Sequence, residues 1–465
     1  MKSLCRSLVL HPLAGCLALV LGVPAAEAVP PHTAFIVQNC LDHGPGSLRQ
    51  AVIDDTAGEP IDLTQLTCSA ITLTTGSIVV QRAQLIRGPG AAAFTIDGAG
   101  LGRVFTQTSA QTLALFGMTL RNGYADSFGG GCVYSAGALQ LMDAVVRDCH
   151  VASTSTVKGG GVLVVGALIA TNSSIVDNDL YSALGNAIGG GVFADGAVVL
   201  DHSTISGNVV TSTSGNVTAS GGVDIGGVLT MMYSTVSDNR VSGLPSTPGL
   251  IGGIRARHGA TITQSTIAGN FADGSTGGLW LYGSASTPNW IIESTISGNA
   301  AGDRIGGLEV FGPTSILNST IVFNTETAHF GGGVYIYDGL IHNEIESTII
   351  AANTSAGGST QNIGLGHPGG GVTGANNLIG PSPSVTLPID TIGGDPKLLP
   401  LHDNGGPTKT HALRPGSPAV DAGNVSSGVT TDQRGTGFPR VIGSSTDIGS
   451  FEGVDADSIF YNGFD

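Results

Sequence analysis

One pattern recurs along most of this chain: a Gly pair, a short alternating run, a second run, then S-T-I-x-x-N or a close variant. STISGN stands at Ser203–Asn208 and again, letter for letter, at Ser294–Asn299. Eight such segments follow one another, from GGGCVYSAGALQLMDAVVRDC to GGGVYIYDGLIHNEIESTIIAAN, with a period of about 25 to 31 residues. A period of this size signals a solenoid; propeller blades are longer, and the LxxLxL of leucine-rich repeats is absent. With 73 Gly among 465 residues and only 11% charged side chains, the composition suits short strands and tight turns and disfavours helical repeats. The expected fold is all-β: a right-handed parallel β-helix in which like residues stack in ladders about 4.8 Å apart.

On that fold the repeated motif is scaffold. Its Ile, as in Ile205, Ile267 and Ile296, points into the lumen. Its Asn ends a strand, and Asn178, Asn208, Asn239, Asn270, Asn299 and Asn324 stack into a structural ladder. An amide both donates and accepts, so such a column satisfies itself. The Gly-Gly-(Ile/Val) and Ile-x-x-Asn elements resemble the repeats of chlamydial polymorphic outer-membrane proteins over about Leu113 to Asn353. Those proteins end in a translocator barrel. This chain shows no series of amphipathic spanning strands, so self-export is not expected.

The chain divides into 1–28, 29–84, 85–375, 376–453 and 454–465. The first segment reads as a signal peptide: Lys2 and Arg6, an apolar Leu13–Val23, then Ala26-Glu27-Ala28. LAGC at Leu13–Cys16 resembles a lipoprotein box, but apolar residues continue beyond Cys16, which favours ordinary cleavage. An exported chain without Cys5 and Cys16 keeps Cys40, Cys68, Cys132 and Cys149, for which proximity suggests disulfides 40–68 and 132–149. Their spacing does not suit zinc, and no metal or cofactor is expected. In the second segment, GSLRQAVIDD predicts a short helix capping the first coils, with Ser47 and Gln50 in capping-box spacing and Arg49 and Asp54-Asp55 belonging to the cap.

From Asn376 the texture changes to Gly, Pro and Asp. Asp395-Pro396, Asp403-Asn404-Gly405-Gly406-Pro407, Gly416-Ser417-Pro418-Ala419, Asp421-Ala422-Gly423 and Asp432-Gln433-Arg434-Gly435 resemble the choice-of-anchor Q domain of bacterial surface proteins. The resemblance implies a surface-associated protein of the Gram-negative envelope, secreted or attached. Asp421, Asp432 and Arg434 could form a buried network or hold a cation; pairing that fixes an irregular cap is the expected reading, since no EF-hand or tandem Asp-Gly repeat is present. The aromatic tail DSIFYNGFD, Asp457–Asp465, resembles a terminal signature of exported proteins and reads as a sorting tag or a frayed end.

Function should then lie on residues that vary while the scaffold repeats. Counting from each Gly pair, the second position runs Val133, Leu163, Phe193, Asp224, Arg255, Trp280, Glu309, Tyr335 and the fourth Ser135, Val165, Asp195, Gly226, Arg257, Tyr282, Phe311, Tyr337. Alternation sends both outward. Asp195, Asp224, Arg255, Arg257, Trp280, Tyr282, Glu309, Phe311, Tyr335 and Tyr337 are therefore the candidate glycan-binding residues, the rival reading being cross-strand pairing or burial under a loop. The net charge of −16 without a basic cluster excludes nucleic acid as a simple electrostatic partner, and no apolar run after the signal is long enough to span a bilayer.

The expected role is binding or adhesion at the cell surface without catalysis. The alternative is a polysaccharide lyase or glycoside hydrolase, since many pectin-degrading enzymes share the β-helix. Asp195 with Asp224, or Asp201 or Glu309 with partners, could supply paired carboxyls. Asp201-His202 resembles the Asp-His of pectate lyases but lacks the surrounding motif. Oligomeric state has no sequence signal.

Overall fold

The computed structural model describes residues 34–213, 219–243, 249–327, 331–337, 343–355, 361–367, 371–424 and 428–453. The signal segment and the aromatic tail lie outside these residues. Three long parallel sheets form the walls of a solenoid. Sheet I has twelve strands, from Phe35–Ile36 to Asn343–Glu346, and sheet II twelve, from Ala70–Thr72 to Leu378–Ile379. Sheet III has eleven, from Ile78–Val80 to Ile363–Leu365. Every named strand pair among the described residues is parallel, and equivalent residues face each other coil after coil, as in Ile175↔Ile205↔Val236↔Ile267↔Ile296↔Ile321. The lumen is filled by these Ile and Val columns, all buried. This is the expected all-β parallel solenoid. The last strand of sheet II, Leu378–Ile379, pairs with Ile349–Ile350, so the walls run slightly past residue 376, where the sequence texture changes.

STISGN spans one strand of sheet II and both its corners. The residues just before the Ser and before the Asn adopt positive φ, for example His202 at 48° and Gly207 at 66°, and Glu293 at 46° and Gly298 at 65°. Each is a one-residue bend that turns the chain from one wall to the next; Gly takes it without the Cβ penalty. The Ser forms a ladder of its own. Ser173, Ser203, Ser234, Ser265, Ser294 and Ser319 each donate their backbone N–H to the hydroxyl of the next, the column ending on Thr348.

The Asn ladder runs from Asn178 through Asn208, Asn239, Asn270, Asn299 and Asn324 to Asn353 and Asn362. Each Nδ2 donates to the next Oδ1 at 2.8–3.1 Å. It also reaches a carbonyl of the preceding coil, such as Ile205 O for Asn239. Each Oδ1 also accepts a backbone N–H, as Asn239 does from Asn208. The column is fully buried and fully satisfied, which the low dielectric of an interior demands.

The Gly pair and the Asn are two sides of one contact. A Cβ on Gly161, Gly191, Gly253, Gly278, Gly307 or Gly333 would lie 2.7–3.2 Å from an atom of the ladder amide of its own coil, Asn178, Asn208, Asn270, Asn299, Asn324 or Asn353. The preceding glycines Gly160, Gly190, Gly221, Gly252 and Gly277 would each clash with a glycine carbonyl of the next coil at 2.1–2.5 Å. One residue breaks the glycine column: Cys132 stands level with Gly161, because Val133 pairs with Val162. Its partner Cys149 stands where an Asn would be, 17 residues on, and its N–H donates to Asn178 Oδ1 at 3.0 Å. The Cys132–Cys149 disulfide thus replaces the first Gly–Asn rung and closes the ladder; Cys40–Cys68 is also formed. Replacing the pair by alanine should cost about 3 kcal/mol for a 17-residue loop. The swap Cys132→Gly with Cys149→Asn rebuilds the rung, and denaturant unfolding should show it about 1–3 kcal/mol more stable than the alanine pair. Equal stability of the two would show that the ladder does not extend.

The predicted cap helix, α1, spans Leu48–Asp54 and buries Leu48, Ala51 and Val52. Ser47 accepts from Gln50 N–H, but the Gln50 side chain donates to Asp54 instead of returning to Ser47, so the capping box is half made. Arg49 is structural: it donates to Asp42 and to the carbonyls of Gly76 and Ser77. Asp54 ends the helix and Asp55 accepts three following N–H groups.

Two features were not expected. From Tyr124 onward each coil makes an outward excursion between sheets II and III. It goes out along sheet IV, eight strands from Tyr124–Ala125 to Thr325–Glu326, and returns along sheet V, four strands from Val157–Lys158 to Leu250–Ile251. Val151, Leu180, Val210, Val241 and Leu250 fill a second core inside this wing. The second feature is the placement of the C-terminal segment. It folds back along the outer face of sheet II, with Leu398, Ala419 and Ile448 packed on Val322, Ile349 and Ala351. Gln433 bridges Thr266 and Thr295, Ser450 meets Thr295 and Thr320, and His411 meets Ser297. Asp432 pairs with Arg434, whose guanidinium lies between Phe438 and Phe451, while Asp421 accepts from Ser444 and Ser445 N–H.

Candidate functional site

The outer face of sheet III carries the varying residues, and its register corrects the count made from the glycines. Tyr134, not Val133, is level with Leu163, Phe193, Asp224, Arg255, Trp280, Glu309 and Tyr335. Val133 and Ser135 point inward and are fully buried. The offset of one residue arises because Cys132 fills a glycine position, a substitution that counting glycines cannot see.

This first column is largely roofed by the wing. Leu163 and Phe193 pack against Ile188 of sheet V, and the Lys158 ammonium lies 4.1 Å from the Phe193 ring centre. Asp224 is wholly buried, accepting from Ser220 Oγ at 2.9 Å and pairing with Arg255 at 2.7 Å and with Arg257. Glu309 is 3% exposed and accepts from Thr276 Oγ1. Burial pushes its carboxyl above the usual range, against the Thr276 bond and the Arg304 charge. Asp224, Arg255 and Glu309 are therefore not presented to solvent as the alternation of a bare strand would have it; cross-coil pairing and a covering layer hold them. Asp195 is exposed.

The second column stays open. Arg257, Tyr282, Phe311 and Tyr337 follow one another on successive coils, since Ala256 pairs with Leu281, Tyr282 with Phe311, and Val310 with Ile336. Phe311 and Tyr337 stack with ring centres 4.1 Å apart, Tyr282 and Phe311 at 5.9 Å. Trp280 joins at 5.2 Å from Phe311, and Tyr335 meets Tyr337 edge-on at 5.2 Å. Five rings thus make one patch, with Tyr282 half exposed and Arg304 donating to the Tyr337 hydroxyl. Such rings offer apolar faces with polar rims.

Of the residues considered for hydrolysis, Asp224 is neutralised by two arginines and Asp201 bonds His202, which stacks on Tyr233 at the corner before sheet II. An open cleft of about 540 Å³, absent from the sequence reading, lies at the first wing strand between Asp97, Asn122, Tyr124, Asp148 and His150. Its acids are engaged: Asp97 with Arg121 and Asn122, Asp148 with Arg147. Among the described residues no group of three or more His, Cys, Asp or Glu could hold a metal, and no helix is long and apolar enough to cross a membrane.

No protein-family model matches the chain, and no curated protein matches it. The crystal structure of pectate lyase Pel9A is similar in fold, at 12% identity and a TM-score of 0.39, over 91% of this chain and 97% of that one.

Proposed function

We propose that this protein binds glycans at the bacterial cell surface without cleaving them. The observation that carries the reading is the open patch of Trp280, Tyr282, Phe311, Tyr335 and Tyr337, laid in register across three coils. Clustered aromatics with a hydrophobic centre and a polar rim are what binding hot spots use. The signal-like start of the sequence and two disulfides support export to an oxidising compartment. The resemblance of the C-terminal motifs to an anchor domain supports attachment to the envelope.

A polysaccharide panel tests this with the mature chain. Retention without loss of polymer length is expected, and Tyr282→Ala with Phe311→Ala should weaken it at least ~10-fold. No retention of any glycan overturns the reading. Shortened chains overturn it in favour of a lyase or hydrolase.

A further inference from the structure

From the charge arrangement beside the rings, we infer that the patch selects glycans carrying an anionic group, with Arg257 as the residue that binds it. The inference rests on the glycan reading above. Around Asp224 two guanidiniums share one carboxylate, since both Arg255 and Arg257 pair with it. Arg255 and Asp224 are buried, so the uncompensated charge emerges at Arg257, whose side chain is 33% exposed. A guanidinium has five donors. Among the described residues Arg257 gives one Nη2 bond to Asp224, leaving its outer edge for a second, bidentate partner.

Its neighbours fix where that partner would sit. On one side, Gly226 occupies the same column and presents only backbone, the Asp195 carbonyl lying 2.4 Å from where its Cβ would stand. On the other, Tyr282, Phe311 and Tyr337 continue it for three coil steps, about 14 Å at strand spacing. An oligosaccharide lying on these rings therefore ends or passes at a cation. The chain as a whole has net charge −16 and only 18 Lys and Arg. An acidic chain does not attract a polyanion by its net charge, so this local surplus acts as a selector and not as general attraction. The chemistry recognised is a planar or tetrahedral oxyanion, either a uronate carboxylate or a sulfate ester.

Binding of matched oligosaccharides to the full mature chain tests it: dextran against dextran sulfate for the ester, cellohexaose against a hexuronate for the carboxylate. At least one anionic member should bind about tenfold or more tightly than its neutral match, with an advantage that falls as salt rises. Arg257→Gln should abolish that preference, and Arg257→Lys should keep part of it. Equal binding of neutral and anionic members overturns this inference and leaves the glycan reading intact. Binding of neither overturns both. Should Arg257→Gln fail to fold, the wild-type pairs and Arg257→Lys decide the question alone.

Discussion

Asn239→Ala is expected to destabilise the solenoid by about 3–6 kcal/mol, the summed cost of four buried groups each losing one bond. These groups are the Asn208 backbone N–H, the Asn208 amide, the Ile205 carbonyl and the Asn270 Oδ1, each bonded to the Asn239 side chain. Because solenoids propagate stability between neighbouring repeats, the loss should spread to the adjacent coils. Equilibrium unfolding in denaturant reads the total. Amide exchange at Asn208 and Asn270 tells whether the weakness stays local. A change below about 1 kcal/mol would show that the column is not the clasp that its hydrogen bonds describe.

Arg440→Met should release the C-terminal segment from sheet II, costing about 3–5 kcal/mol, the range for breaking a buried ion pair from one side. Arg440 is 1% exposed. It faces Glu293 of the solenoid at 3.1 Å and Glu452 at 3.5 Å, and donates to the carbonyls of Asp447 and Gly449. Limited proteolysis of the full chain reads the release. The double variant with Glu293→Gln should recover part of the loss, since it removes one of the two buried carboxyls, Glu293 and Glu452, that Arg440 faces.

The same cluster sets a pH dependence. Burial raises Glu293 to about 8 and Glu452 to about 7, with Arg440 opposing in both cases, and Asp447 is raised as well. A carboxyl whose folded pKa lies above its unfolded value of 4.5 stabilises docking fully below pH 4.5. That contribution is lost as the pH climbs to about 8. His411 acts in the opposite sense: burial lowers its pKa from 6.5, so its contribution fades as the pH falls below that value. Protection of the segment should therefore peak in mildly acidic solution and decline toward pH 8–9, and Glu293→Gln should flatten the alkaline limb. A wild-type profile that is flat from pH 5 to 9 would contradict this sign.

The coil was legible because its causes are local and repeated. Ile205, Ile267 and Ile296 reach the lumen, the Asn column stacks, and the two disulfides join neighbours in sequence. The wing was not legible, because strands as short as Ala187–Ile188 and Ala219–Ser220 carry no periodicity of their own and form only when stacked. Missing the wing misplaced the site. Asp224 and Glu309 read as outward-facing from alternation alone, whereas Ser220 and Thr276 close over them. Nor did the outward Thr and Ser of sheet II, such as Thr266, Thr295 and Ser297, announce a partner. They suit solvent as well as the docked segment, which reaches them from more than a hundred residues away.

Because each coil is closed at fixed corners, its length and its register are independent variables. The step from Asn299 to Asn324 takes 25 residues and the step from Asn270 to Asn299 takes 29, yet both rungs close at 2.9 Å. The four-residue difference lies in the turn between sheets III and I, 283–288 in the longer coil and 312–313 in the shorter. The walls keep phase whatever the turns contain. Length changes arising there alter one local decoration without rephasing the remaining coils, so the outer face can diversify while the frame that displays it stays fixed.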